Sequence, residues 1–312
     1  MAIRDVPIID AHHHFWDLSQ GAQPWLVDAP VKAFRYGDYS AIRGRDFLLA
    51  DYQRATEGFD VVASLTMEAE WLSTRLVEET SWTEALHTAN LRFPAAHIAR
   101  TYLHRPDAPD QLAIQAKSAF VRGIRHKPTA AAAPELIAKA APGGMGDPAW
   151  RRGYAALRAN GLHFELQAPW WHVDELLDLV SAHPDTPVVI NHAFLPADRS
   201  AQAIAGWRAA IRRAASAPQI AMKISGIGLP DRPWTLADNR PIIRDLIEAF
   251  GTDRCLFASN FPVDGICGSF ARIYDGFFDA TADLPRADRV KLFHDNAVRL
   301  YRLDIPLAAN RG

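Results

Sequence analysis

Short apolar runs alternate with longer stretches of helical spacing along most of the chain. The runs Val6–His12, Phe59–Met67, Ala96–Leu103, Phe120–His126, Leu162–Gln167, Pro187–His192, Gln219–Ser225 and Arg254–Ser259 read as buried strands. Helical spacing covers Asp46–Gly58, Arg75–Arg92, Asp147–Asn160, His172–His183, Ala201–Ala217, Asn239–Phe250 and Asp288–Tyr301. Eight strands separated by helices predict an α/β fold, a single (β/α)8 TIM-type barrel with its site at the C-terminal ends of the strands. An open doubly wound sheet is the alternative. It usually carries a glycine-rich turn after its first strand, where this chain has His12-His-His-Phe-Trp16.

No repeat, linker or low-complexity tract interrupts the chain, so residues 1–312 are expected to form one domain. Residues 15–45 read as a long loop insertion after the first strand, rich in Trp16, Trp25, Phe34, Tyr36 and Tyr39. Residues 129–146, with Pro134, Pro142, Gly143, Gly144 and Gly146, read as a second long loop. Loops that follow barrel strands sit at the catalytic face, so both are expected to act as lids or pocket walls there.

Strand residues alternate faces, which sorts each strand into two sets. In the second strand Val61, Ala63, Leu65 and Met67 are expected to pack under the outer helices. Val62, Ser64, Thr66, Glu68 and Glu70 are expected inside and at the mouth. The fifth strand sets His163, Glu165 and Gln167 apart from its apolar residues, and the seventh sets apart Ala221, Lys223 and Ser225. The first strand places Ile8, Asp10, His12 and His14 on one face, so both imidazoles of His12-x-His14 can serve one metal ion or one substrate. His13 should face away. The sixth strand ends in His192, on the face of Val188 and Ile190.

Composition narrows the function class. Lys and Arg total 34 against 36 Asp and Glu, a formal net charge of −2, which excludes the basic balance of a general nucleic-acid binder. No apolar run is long enough to cross a bilayer, and residues 1–11 lack the apolar core of a signal peptide. The two cysteines, Cys255 and Cys267, form neither a disulfide framework nor a CxxC motif. A cytoplasmic protein acting on a small molecule is expected, with no nucleic-acid or membrane partner; a homo-oligomer is compatible with the sequence. The chain has no Gly-x-Ser-x-Gly elbow, and no Gly-Lys-Ser/Thr follows Gly143-Gly-Met-Gly146 to make a P-loop.

Several segments together resemble the amidohydrolase superfamily, in its amidohydrolase-related (amidohydrolase-2) branch of lactonases and decarboxylases. They are Asp10-Ala-His-His-His-Phe-Trp-Asp17, Gly123-Ile-Arg-His126, Val189-Ile-Asn-His192, Lys223-Ile-Ser-Gly226, Ser259-Asn-Phe-Pro262 and Phe293-His-Asp-Asn-Ala-Val-Arg-Leu-Tyr301. These segments are similar to the sugar-lactone and aromatic-lactone hydrolases of that branch. The resemblance covers nearly the whole chain and implies a (β/α)8 barrel that opens a small cyclic ester. It departs at one position. The family usually ends strand eight with Ser-Asp-x-Pro, its aspartate binding metal or activating water; here that position is Asn260. An amide takes no proton at neutral pH and is a poor ligand for zinc. The expectation is therefore no cofactor, or a weakly bound divalent metal such as zinc on His12, His14 and His192.

Lactone opening needs activated water, an oxyanion stabiliser and a proton for the leaving alkoxide. His12, His14, His192, Asn260 and Glu68 are the catalytic candidates, with Glu70, Glu165 and Asp264 as further bases or substrate contacts. Arg125, His126 and Lys127 end strand four as a basic cluster suited to an acidic or polyhydroxy substrate. Lys223 either pairs with Glu165 or contacts substrate. Trp170 and Trp171 either wall the site against a sugar or aromatic ring or pack helices. A non-oxidative decarboxylase of the same branch and a degenerate small-molecule-binding barrel are the competing functions.

Overall fold

The eight strands pair in parallel in the order in which they occur along the chain: β1 (Ile8–His13), β2 (Val61–Met67), β3 (Ala96–Arg100), β4 (Val121–Arg125), β5 (His163–Leu166), β6 (Val188–Ile190), β7 (Ile220–Ile224) and β8 (Cys255–Phe257). The computed structural model describes residues 4–28 and 34–308. The ring closes just beyond β8, where Asn260 N–H donates to His12 O and His14 N–H to Phe261 O, both at 2.7 Å. The molecule is thus a (β/α)8 barrel. Among the described residues no helix is long and apolar enough to cross a membrane.

Apolar residues fill both faces of the strands, as a buried parallel sheet requires. Ile9, Ala63, Leu65, Ile98, Val189, Ala221 and Leu256 cluster inside the ring with Tyr301 and Leu303 of the C-terminal segment. Ile124, Phe164, Ile190, Met222 and Phe257 join a second core with Trp150, Trp207, Leu246 and Phe277 of the surrounding helices. Two helices escape the sequence pattern, Ala108–Gln115 and Phe270–Ala280, and the last expected helix is broken by a π turn at Lys291–Asp295.

Two strands reverse the expected facing. In β2 the apolar set points inward, with Met67 Sδ 3.8 Å from the interior Lys223 Nζ. Ser64 and Thr66 point outward, where they bond the His13 and His97 rings at 2.8 and 3.0 Å. When both faces are apolar, alternation fixes the two sets but not which is inside. In β1, Asp10 also faces outward. It accepts from Tyr52 and Tyr274 of the flanking helices at 2.9 and 3.4 Å, and from the Ser259 hydroxyl at 2.6 Å. The register slips between Asp10 and His13, and this bulge turns His12 and His14 inward. β5 and β7 keep the expected phase.

Candidate active site

A cavity of about 260 Å³ opens at the C-terminal ends of the strands. Its barrel walls are His14, Glu68, Glu70, Arg125, Lys127, Gln167, His192 and Asn260, and its outer wall is Trp25, Phe34 and Arg35 from the loop between β1 and β2. That loop is anchored by a two-way backbone bridge between Trp16 and Phe47, and it packs Trp16, Leu26, Tyr39 and Ile42 into a small core with Ala69 and Trp71 from the segment after β2. Residues 29–33 of the expected insertion lie outside the described residues. Residues 129–146 contribute nothing to the wall among the described residues.

Three imidazoles form the floor. The His12 ring lies 5.1 Å from the His14 ring and 4.6 Å from the His192 ring, centroid to centroid. His14 Nδ1 lies 3.1 Å from the carbonyl oxygen of Met67, which only accepts, so Nδ1 carries the proton and Nε2 is left bare. His192 Nδ1 bonds Ser225 Oγ at 2.9 Å. His192 reaches the cavity by backbone geometry rather than strand phase: residues 192–195 all have positive φ, from 52° to 61°. Burial lowers all three imidazoles well below the usual histidine range. The other two histidines and Lys223 add to this for His12, Arg125 for His14, and Arg35 for His192. All three are neutral at physiological pH.

Glu68 lies beyond the end of β2 and accepts from Arg125 Nε at 2.6 Å, from Glu70 N–H at 2.9 Å, and faces Arg100 at 3.6 Å. Burial pushes its carboxyl up, but Arg125 and Arg100 outweigh burial and hold it at about 2. Lys127 pairs with Glu70. Asn260, itself at φ 53°, donates from Nδ2 to Asp264 Oδ1 at 2.6 Å, which leaves its carbonyl oxygen for the cavity. Asp264 stands behind Asn260 and also accepts from Tyr36 OH at 2.7 Å.

The structure therefore brings His12, His14, His192, Asn260, Glu68, Glu70, Arg125 and Lys127 to one place. It takes the other candidates elsewhere. Glu165 and Lys223 pair at 2.9 Å beneath the cavity, both wholly buried. His126 faces outward, its Nδ1 accepting from Leu103 N–H and Trp150 Nε1–H at 3.1 and 3.0 Å. Trp170 packs where Gly206 leaves room, since a Cβ there would lie 2.4 Å from the indole. Trp171 donates to Ala131 O at 3.0 Å. The aromatic wall is instead Trp25 and Phe34, stacked with centroids 6.2 Å apart. Among the lining residues, Arg35 was not singled out by the sequence. Gln167 follows from the phase of β5, whereas Arg35 has only its place between Phe34 and Tyr36 as a signal.

A family model described as Amidohydrolase matches residues 9–303. The chain belongs to the amidohydrolase-2 family. An uncharacterized protein of Sinorhizobium fredii is 34% identical to this amidohydrolase over 299 residues, 96% of this chain and 99% of that one. An L-fucono-1,5-lactonase of Burkholderia ambifaria is 27% identical over 312 residues, 96% of each chain. A crystal structure of an amidohydrolase from Burkholderia multivorans with bound zinc superposes with a TM-score of 0.76 at 25% identity, covering 96% of this chain and 100% of that one.

The donors of this amidohydrolase fit zinc poorly. Arg125 Nη1 stands 3.5 Å from His12 Nε2, so a guanidinium N–H faces the lone pair that a metal would take. The amide of Asn260 supplies no charge, and the nearby Asp264 carboxylate is turned to Tyr36 and Asn260. Among the described residues no three His, Cys, Asp or Glu side chains are arranged to hold one ion.

Burial of neutral histidines has a consequence for acid stability. Besides the three in the floor, burial pushes His13, His97 and His126 down to about 3. Below pH 6.5 the unfolded chain binds protons at these rings and the native state does not, so stability falls as pH falls. Asp10, Glu79 and Asp264, pushed up by burial, act in the opposite sense but are fewer. The melting temperature is expected to drop steadily from pH 7 to pH 5, read by circular dichroism. A flat or rising profile would mean that these rings are charged in the native state.

Proposed function

We propose that this amidohydrolase opens a small cyclic ester, a lactone of a sugar or of an aromatic-derived acid, by attack of water without a tightly bound metal. The observation that carries the reading is the fixed tautomer of His14, whose bare Nε2 lies in a cavity shared with the Asn260 carbonyl oxygen. A water molecule between these acceptors can donate one proton to each. His14 Nε2 takes a proton as the water oxygen attacks the lactone carbonyl. The Met67 carbonyl oxygen then stabilises the imidazolium that forms. Arg125 Nη1 donates to the oxyanion. The ring C–O bond breaks, and the leaving alkoxide takes the proton back from His14.

Glu68 suits this base role less well. Its oxygens are already engaged by Arg125 Nε–H and Glu70 N–H, so neither is free to take a proton from water. Its part in this reading is to hold Arg125 in place. A panel of sugar-derived and aromatic-derived lactones, read by acid release with a pH indicator, is expected to find a substrate. Failure of every member of the panel, with carbon dioxide released from a hydroxybenzoate instead, would replace hydrolysis by decarboxylation.

The same reading predicts the response to metal. The purified protein is expected to carry substoichiometric zinc, and hydrolysis is expected to survive a chelator. Asn260→Asp is expected to raise zinc retention, because it restores a carboxylate beside three imidazoles. Stoichiometric zinc by elemental analysis, with activity lost on chelation and restored by zinc, would sink the metal-free mechanism.

A further inference from the structure

A second, smaller cavity of about 120 Å³ adjoins the first and shares Arg35 and Gln167 with it as a common wall. Its lining includes a second guanidinium, Arg199, and no acidic residue. The basic groups of the two cavities differ in how their charge is met. Arg125 and Lys127 are paired with Glu68 and Glu70. Arg35 and Arg199 make no ion pair with any carboxylate within 4.0 Å among the described residues. Arg35 Nη2 donates to the Gly226 carbonyl, and its Nη1 is buried with no hydrogen-bond partner among the described residues. Arg199 donates from Nη2 to Ile227 O at 2.9 Å and to Asn239 Oδ1 at 3.3 Å, and from Nη1 to Asp238 O at 3.4 Å; its Nε is likewise buried with no partner among the described residues. Asp264 and Asp238 act on Arg35 and Arg199 only at longer range, since their oxygens are hydrogen-bonded to other groups, Asp264 to Tyr36 and Asn260, and Asp238 to Arg232 and Thr235.

Two guanidiniums that share one small chamber repel each other and keep N–H groups without acceptors. An anion between them removes both costs, and the planar fork of arginine matches a carboxylate two oxygens at a time. We infer that this chamber is a carboxylate subsite, so that the cyclic ester bears a carboxylate held by Arg35 and Arg199 while its ring lies over His14 and His192. This inference rests on the hydrolase reading for the ring, but not for the anion. Burial outweighs the pull of Asp238 and holds the Arg199 guanidinium down to about 10, and an anion in the chamber would raise it.

The test separates the two readings. Glutarate, compared with sodium chloride at equal ionic strength, is expected to raise the melting temperature of the wild-type protein. Arg35→Gln and Arg199→Gln are expected to weaken its apparent affinity at least tenfold, and Arg199→Lys to restore part of it. In parallel, kcat/KM is measured on two lactones of one ring, with and without a carboxylate. Arg199→Gln is expected to lower the ratio of carboxylated to neutral kcat/KM at least tenfold. Equal glutarate stabilisation in wild type and both variants, or an unchanged ratio while lactones are still opened, overturns the subsite and leaves the hydrolase standing. Arginine-dependent glutarate binding without any lactone opening upholds the subsite and removes the hydrolase.

Discussion

Lys223→Met is expected to destabilise the protein by about 3–5 kcal/mol, the usual cost of leaving one partner of a buried ion pair alone. Lys223 and Glu165 are both fully buried in the barrel interior and meet at 2.9 Å. Burial alone would raise the Glu165 carboxyl, yet Lys223 and His163 hold it at about 2. Tyr301 OH at 2.7 Å and the Asn191 amide also donate to this carboxylate, so it sits at the junction of three strands and the C-terminal helix. Removing the ammonium leaves those donors around a charge with no counter-ion. The double variant Lys223→Met/Glu165→Gln is expected to recover most of the loss, because the amide still accepts from Tyr301 and brings no charge. Urea unfolding gives both numbers, and a single-variant loss below about 1 kcal/mol would mean that water or another cation reaches Glu165.

His14→Ala is expected to lower kcat by about 10²-fold or more, the contribution of a positioned general base. His192→Ala, which removes a second imidazole lining the same cavity, is expected to lose a similar factor. The pH profile sharpens the assignment. Burial and Arg125 keep His14 neutral well below pH 6.5, so kcat/KM is expected to stay level as pH falls through 6.5 and to decline only at lower pH. An inflection at 6.5 would point to an exposed base instead. Near-normal turnover in both folded alanine variants would move the chemistry away from this floor.

The strand–helix alternation was legible because each barrel strand is an apolar run, and all eight appear where the sequence places them. The helix Phe270–Ala280 was not legible because its buried Phe270, Ile273, Tyr274, Phe277 and Phe278 are residue types that favour strands as much as helices. The orientation of side chains was less accessible. Alternation predicted that His12 and His14 share a face, but a bulge after Asp10 is what turns that face inward. His192 follows outward-facing residues and enters the cavity only through left-handed backbone, which no hydropathy pattern encodes. Arg125 was legible as part of a basic cluster ending strand four; that Glu68 would occupy it was not, because the two residues are 57 positions apart. For Trp170 and Trp171 the packing alternative is what the structure shows, and the aromatic wall comes from the earlier loop.

The loop that carries Trp25, Phe34 and Arg35 packs around a small core completed by Ala69 and Trp71, and it returns to the barrel at the Trp16–Phe47 bridge. In the proposed reaction, substrate choice would fall to this loop and bond-breaking to the barrel ends beneath it. A replacement segment grafted between those bridge residues could change what is recognised without disturbing the imidazoles below. Several contacts cross the seam, Trp25 to the Ala69 carbonyl and Arg35 to the Gly226 carbonyl among them, and one reaches the site: Tyr36 OH holds Asp264, which holds Asn260. Any transplanted segment must bring a hydroxyl to that spot, or the amide beneath it is free to flip.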